Sequence, residues 1–125
     1  MPAASKSAKI IRQECDVVGL GFRLKRDVRR VLADNCRHTD GIDGIMLVRE
    51  QENRFDINAI QVLHPKRGLL AGKHLGYLRA DTAAILAPLL DDGHIKVKSA
   101  KLMELYEADD FKTGLLAIEF LDLRK

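Results

Sequence analysis

The sequence predicts a mostly β chain with two short helices, folded as a small barrel or a strongly curved antiparallel sheet. Three observations carry that expectation. Short apolar runs recur between clusters of Gly, Asp, Asn and Pro; only two stretches have helical spacing; and no strand–helix–strand rhythm of a parallel sheet is present.

The elements follow in order. Ile10–Leu24 is strand-like, with Val17-Val18 leading into Gly19-Leu20-Gly21, where two close glycines suggest a bend or bulge. Val28, Val31 and Leu32 fall at i, i+3 and i+4, which predicts a short amphipathic helix over Arg26–Leu32 with Arg26, Arg29 and Arg30 on its polar face. Asp34–Gly44 reads as an exposed loop. Ile45–Arg49, Ala59–Leu63 and Lys73–Leu78 suit short strands, the last two joined by a basic, glycine-containing loop at Lys66–Lys73. Asp81 is the expected N-cap of a second helix carrying Ala83, Leu86, Leu89 and Leu90. Pro88 should kink it near Ala87, and Asp91-Asp92-Gly93 should end it. His94–Leu105 and Gly114–Leu123 alternate as a final hairpin about a Glu107–Lys112 turn.

The 125 residues amount to one domain, and 46% hydrophobic with 31% charged residues is a globular balance that argues against disorder along most of the chain. No apolar run reaches the ~20 residues of a membrane-spanning helix. Residues 1–9 lack the apolar stretch of a secretory signal and read as a flexible tail. Cys15 and Cys36 form no metal or disulfide pattern, so an intracellular setting is expected, cytoplasmic in a prokaryote or nuclear in a eukaryote. The net charge of +3 permits nucleic-acid binding without establishing it. Arg23, Lys25, Arg26, Arg29 and Arg30 crowd together, which fits a phosphate-attracting patch or an ordinary solvated helix face.

Catalytic patterns fail on inspection. Gly68–His74 has too short a gap between its glycines for a phosphate-binding loop, and His74 stands where the magnesium-holding hydroxyl belongs. The four histidines lack zinc-site spacing and read as surface or loop residues, and no GxSxG occurs. Asp56, Asp81 and Asp91 are the carboxylates a magnesium-dependent nuclease would need to converge, but their spacing does not imply it. The reading is therefore no enzyme, no metal and no cofactor.

The most distinctive run is Leu47–Ile60, Leu-Val-Arg-Glu-Gln-Glu-Asn-Arg-Phe-Asp-Ile-Asn-Ala-Ile. It resembles the signature of the HIRAN domain, a Leu-Val-Arg-Glu strand followed by Asn-x-(Tyr/Phe)-Asp-x-Asn-Ala-Ile. The Val-Val-Gly entry at Val17–Gly19, Leu-Gly-Tyr-Leu at Leu75–Leu78 and the helix from Ala83 to Asp91 agree in order. On this resemblance residues 10–125 form one HIRAN-like domain. It implies a modified OB-like (SH3-like) small barrel that binds DNA, in its best-understood members by capturing a single-stranded 3′ end, as at damaged or stalled DNA. A repair or replication enzyme would then act in trans.

Several site residues are implied by this resemblance, and the basic cluster adds others. Phe55 and Phe22 would stack on bases. Asp56 would accept a hydrogen bond from a free 3′-hydroxyl and repel a continuing phosphate chain. Asn53 would read a base edge or sugar, and Tyr77 and Arg79 would contact DNA. Arg23, Lys25, Arg26 and Arg29 would attract phosphates. Opposing readings put Phe55 in the core and use Asp56 and Asn58 only to hold the turn. The chain departs from better-studied members at Gly21-Phe22-Arg23 and in its long Arg26–Gly44 insertion. Two other functions compete with DNA-end binding: a protein-interaction domain docking through its edge strands or Glu104–Asp110, and the metal-dependent nuclease.

Overall fold

The computed structural model describes residues 8–124. The expected tail therefore lies almost wholly outside the described residues, although Lys9 already begins strand β1 (Lys9–Val18). The chain continues through α1 (Leu20–Arg23), α2 (Arg26–His38), β2 (Met46–Arg49), β3 (Ile60–Leu63), β4 (His74–Leu78), α3 (Ala80–Asp91), β5 (Ile95–Leu105), a 3-10 turn (Glu107–Asp109) and β6 (Gly114–Asp122). All six strands join one antiparallel sheet in the order β2-β3-β4-β1-β6-β5.

The alternation legible in the sequence decides which face is buried. On β6, Leu116, Ile118 and Phe120 point into the core, while the alternating Leu115, Ala117 and Glu119 stay partly exposed. Irregularities at Val97/Ser99 and Leu102/Glu104 interrupt the register of β5 against β6. Extra residues of this kind bend a strand and increase its twist, which lets the long β5–β6 hairpin curl. The curl carries β5 round to the segment entering β2. There Ile42 and Leu102 exchange backbone hydrogen bonds of 2.8 and 2.9 Å, and Ile45 N–H donates to the Ala100 carbonyl at 3.1 Å. The result is a half-barrel closed at one seam, as the alternating short strands predict.

Four expectations need correction. The strand read over Ile10–Leu24 ends at Val18, because Gly19 turns the chain with φ +82° and Leu20 is then buried on the one-turn α1. The helix read over Arg26–Leu32 continues to His38: Cys36 extends the buried stripe of Leu32 and Ala33 one more turn, and that burial holds Asp34–His38 helical although its composition is loop-like. Helix α3 runs unbroken from Ala80 through Pro88, and its cap position is Arg79; Asp81 is the second residue of the first turn, its carboxylate accepting the Thr82 N–H. His64, read as a surface or loop residue, is buried, with Nδ1 2.8 Å from the Pro65 carbonyl oxygen.

Gly76 is required for the sheet rather than for a turn. A Cβ there would collide with the Val18 carbonyl oxygen, so only glycine lets β4 lie against the end of β1. Among the described residues no helix is long and apolar enough to cross a membrane.

Candidate nucleic-acid interface

The turn between β2 and β3 is built by its own polar side chains. Asn53 Oδ1 accepts the backbone N–H groups of Phe55 (2.8 Å) and Asp56 (2.9 Å), and Asp56 Oδ1 accepts that of Asn58 (2.8 Å). Such short-range bonds explain why a run of Asn and Asp folds as a turn. Arg49 clamps the turn from β2. Its guanidinium donates to the carbonyls of Ala59 (2.7 Å) and Ile57 (2.9 Å), and to the Asp91 carboxylate at the end of α3 (2.8 and 2.9 Å). This ion pair holds Asp91 below the usual carboxylate range.

With its backbone so constrained, the turn projects Phe55 into solvent at 97% exposure. An aromatic ring held out by an ordered turn is the reverse of a core residue, which excludes the core reading. Beside it lies an open groove of about 630 Å³ with Ala59, Leu78 and Val18 among its apolar lining. Asn53, Arg54, Phe55 and Asp56 line one side, and Arg23 of α1 and Tyr77 of β4 also line it.

Tyr77 is held on three sides. Its hydroxyl donates to Glu50 Oε1 at 2.9 Å and accepts from Arg23 Nη2 at 3.3 Å. The Arg23 guanidinium carbon stands 5.6 Å from the ring centroid, within cation–π range, and the His74 ring meets Tyr77 edge-on at 4.9 Å. Burial, with the Glu50 carboxylate beside it, pushes the Tyr77 hydroxyl up. His74 is pushed down by burial and by the nearby Arg23 charge, and its enclosed Nε2 takes no hydrogen bond among the described residues.

Five of the ten residues expected at a DNA site thus meet in one groove: Arg23, Asn53, Phe55, Asp56 and Tyr77. The other five do not. Arg29 is 5% exposed and turned inward, donating to the Leu24 carbonyl (2.7 Å) and to the backbone and carboxylate of Asp110 (3.2 and 3.4 Å). Arg26 binds the same carboxylate at 2.8 Å. Arg29 is thereby committed to the last hairpin, whereas Arg26 shares its single carboxylate and keeps an exposed side chain outside the groove. Arg79 pairs with Asp16 (3.5 Å) and Asp81 (3.4 Å). Lys25 is exposed at the cap of α2, and Phe22, 98% exposed, borders a separate crevice with Lys112. Asn53 lies in the groove, but its Oδ1 holds the turn and its Nδ2 binds Glu50, so it builds the site more than it reads a ligand.

Two charged groove residues escaped the sequence reading. Arg54 stood inside the quoted run, and an exposed arginine beside the aromatic was a usable signal. Glu50 also stood there, but an acid in a site for a polyanion argues against itself on charge alone. The carboxylates considered for a nuclease are dispersed: Asp81 pairs with Arg79 and Asp91 with Arg49, and no cluster of three metal-ligating side chains forms among the described residues.

A curled antiparallel sheet, closed at a seam and carrying an aromatic–acid turn over an open groove, defines an OB-like barrel module. A family model described as the HIRAN domain matches residues 11–115. The chain belongs to the HIRAN family. Solved structures with the same fold include the crystal structure of the HIRAN domain of human HLTF, 20% identical over 89% of this chain and 75% of that one, with a TM-score of 0.62. A Lactobacillus plantarum protein is 24% identical over 93% and 99% of the two chains, with a TM-score of 0.63. The NMR structure of the HLTF HIRAN domain in its DNA-bound conformation is 18% identical over 98% and 84%, with a TM-score of 0.60. No curated protein matches the chain.

Proposed function

We propose that the groove between the Phe55-Asp56 turn and Tyr77 binds single-stranded DNA and receives its 3′ end. The observation that carries this reading is the state of Asp56. Its Oδ1 is occupied by the Asn58 N–H, while Oδ2 has no hydrogen-bond partner among the described residues and belongs to a groove-lining side chain. A free carboxylate oxygen accepts a hydrogen bond from a terminal 3′-hydroxyl but repels the phosphate of a continuing strand. Phe55 supplies a face for the terminal base, and Arg23 and Arg54 supply positive charge for the phosphates behind it. Phe22 and Lys25, exposed outside the groove, offer an aromatic face and a positive charge to the upstream nucleotides of a strand long enough to reach them. DNA bound by the HLTF domain of like fold supports the ligand class. Recruitment of a repair or replication enzyme in trans to damaged or stalled DNA belongs to the same reading.

The test is a titration of one labelled oligonucleotide ending in a 3′-hydroxyl or a 3′-phosphate. The hydroxyl form should bind about tenfold more tightly, as expected for losing a charge-assisted hydrogen bond. Binding should weaken with salt, with a log–log slope of about −2 if three cations contact phosphates. Equal affinities overturn the role of Asp56. No salt-sensitive binding to either strand overturns the DNA reading.

A further inference from the structure

Glu50 is out of place in a groove for a polyanion. It is half-buried, lines the groove and has no cation within ion-pairing distance among the described residues. On charge alone it should weaken DNA binding, and yet it receives more side-chain hydrogen bonds than any other groove residue. Tyr77 O–H and Asn53 Nδ2 both donate to Oε1, and Gln61 Nε2 donates to Oε2. These donors hold the carboxyl below the usual carboxylate range, Gln61 foremost.

The partners of Glu50 are what give it reach. Through Tyr77 it fixes the hydroxyl as a donor toward Oε1, leaving the oxygen's lone pair to accept from Arg23. Through Asn53 it fixes the amide whose Oδ1 holds the backbone of Phe55 and Asp56. One carboxylate therefore sits at the junction of two chains of hydrogen bonds, one ending at the groove's arginine and the other at its aromatic–acid turn. Linked bonds of this kind polarise and strengthen one another.

We propose that Glu50 is the positioning residue of the groove, holding Arg23 and the Phe55-Asp56 turn in mutual register so that a negative side chain strengthens the binding of a negative ligand. The proposal rests on the reading of the groove as a DNA site. It does not give Glu50 any contact with DNA.

Two variants with the same change of charge separate geometry from electrostatics. In Glu50→Ala all three hydrogen bonds go. In Glu50→Gln the amide oxygen takes the place of Oε1, and its NH2 donates to Gln61 once that side chain's amide is turned round. Positioning predicts that Glu50→Ala binds a 3′-hydroxyl oligonucleotide about tenfold more weakly, the scale of a lost hydrogen bond to a charged group, and loses preference over the 3′-phosphate form. Glu50→Gln should recover most of both. Simple repulsion predicts that the two variants behave alike and bind more tightly than the parent, and that outcome overturns the proposal. So does Glu50→Ala binding with unchanged affinity and preference.

Should Glu50→Ala fail to fold, Gln61→Leu removes the donor to Glu50 Oε2 at a residue outside the groove lining; weakened binding is again the expected result, and unchanged affinity overturns the proposal. NMR supplies a readout that needs no DNA. In Glu50→Ala the Tyr77 hydroxyl should titrate at lower pH than in the parent, and the amide signals of Phe55 and Asp56 should move. Unmoved signals overturn the positioning role even if DNA binds. A parent protein that binds no DNA overturns the proposed function, while the NMR comparison still decides whether Glu50 sets the groove.

Discussion

Arg29 of α2 and Asp110 of the last hairpin, 81 positions apart, are joined by hydrogen bonds from the arginine to both the backbone and the carboxylate of the aspartate. The same guanidinium donates to the Leu24 carbonyl, so one buried cation ties the end of α1, the start of α2 and the β5–β6 turn together. Asp110 has a left-handed backbone, φ +63°, followed by Phe111 at +62°, a conformation that non-glycine residues adopt only where their surroundings hold them there.

Replacing Arg29 should therefore damage the fold rather than the ligand surface. Arg29→Met keeps the apolar stem but leaves the buried Leu24 carbonyl without its donor, at a cost of about 2 kcal/mol. That corresponds to a fall in melting temperature of about 8 °C. DNA affinity per folded molecule should change by less than about twofold, because losses at sites removed from the ligand add little. A variant that melts normally and binds poorly would return Arg29 to the phosphate-contact role.

Phe55 has the opposite profile. Its ring is almost fully exposed, so Phe55→Ala removes little buried apolar surface and should leave the melting temperature within about 2 °C. If the ring stacks on the terminal base, affinity should fall by about tenfold, the middle of the range for one base–aromatic stack. Phe22→Ala, which alters a separate crevice, should matter only for strands long enough to reach it. Thermal melts beside titrations with short and long oligonucleotides measure both effects.

The two cysteines predict a behaviour with pH. Burial is the main cause that pushes both the Cys15 and Cys36 thiols up to about 11. The folded protein thus keeps two protons that an unfolded chain releases at about pH 8.5. Where the unfolded state binds fewer protons, stability falls as pH rises, so it should decline from about pH 9 towards 11. Thiol-reactive reagents should leave the native protein unlabelled at pH 8 and modify both cysteines in denaturant. Rapid labelling of the native protein would contradict their burial.

Much of the fold was legible because one face of each strand is apolar. The bounds of β2 to β6 lie within a residue or so of the alternating runs, and the Glu107–Lys112 turn falls where its polar residues require. The misread stretches are those in which tertiary burial overrides local composition. Asp34-Asn35 resemble a loop until Cys36 is seen to pack beside Leu32, and nothing local in Val18–Leu24 says that Leu20 turns inward on a single helical turn. The site divides in the same way. Phe55, Asp56 and Tyr77 were readable from one motif and one strand, whereas the destination of a charge was not. Arg26 and Arg29 look alike in sequence because Asp110, which pairs with both and engages Arg29 in the interior, lies some eighty residues further on. Glu50 shows the converse, its value coming from three donors that only folding brings to it.

The pairing of β1 with β6 also settles where a tether can begin. Lys9 stands opposite Asp122, so the two ends of the sheet-forming chain emerge side by side. Val18, at the other end of β1, lines the groove, and nine residue steps of extended strand put about 30 Å between the two along that strand. A label, surface anchor or enzyme joined directly at Lys9 or at Asp122 would start from the same corner, a strand's length from Val18.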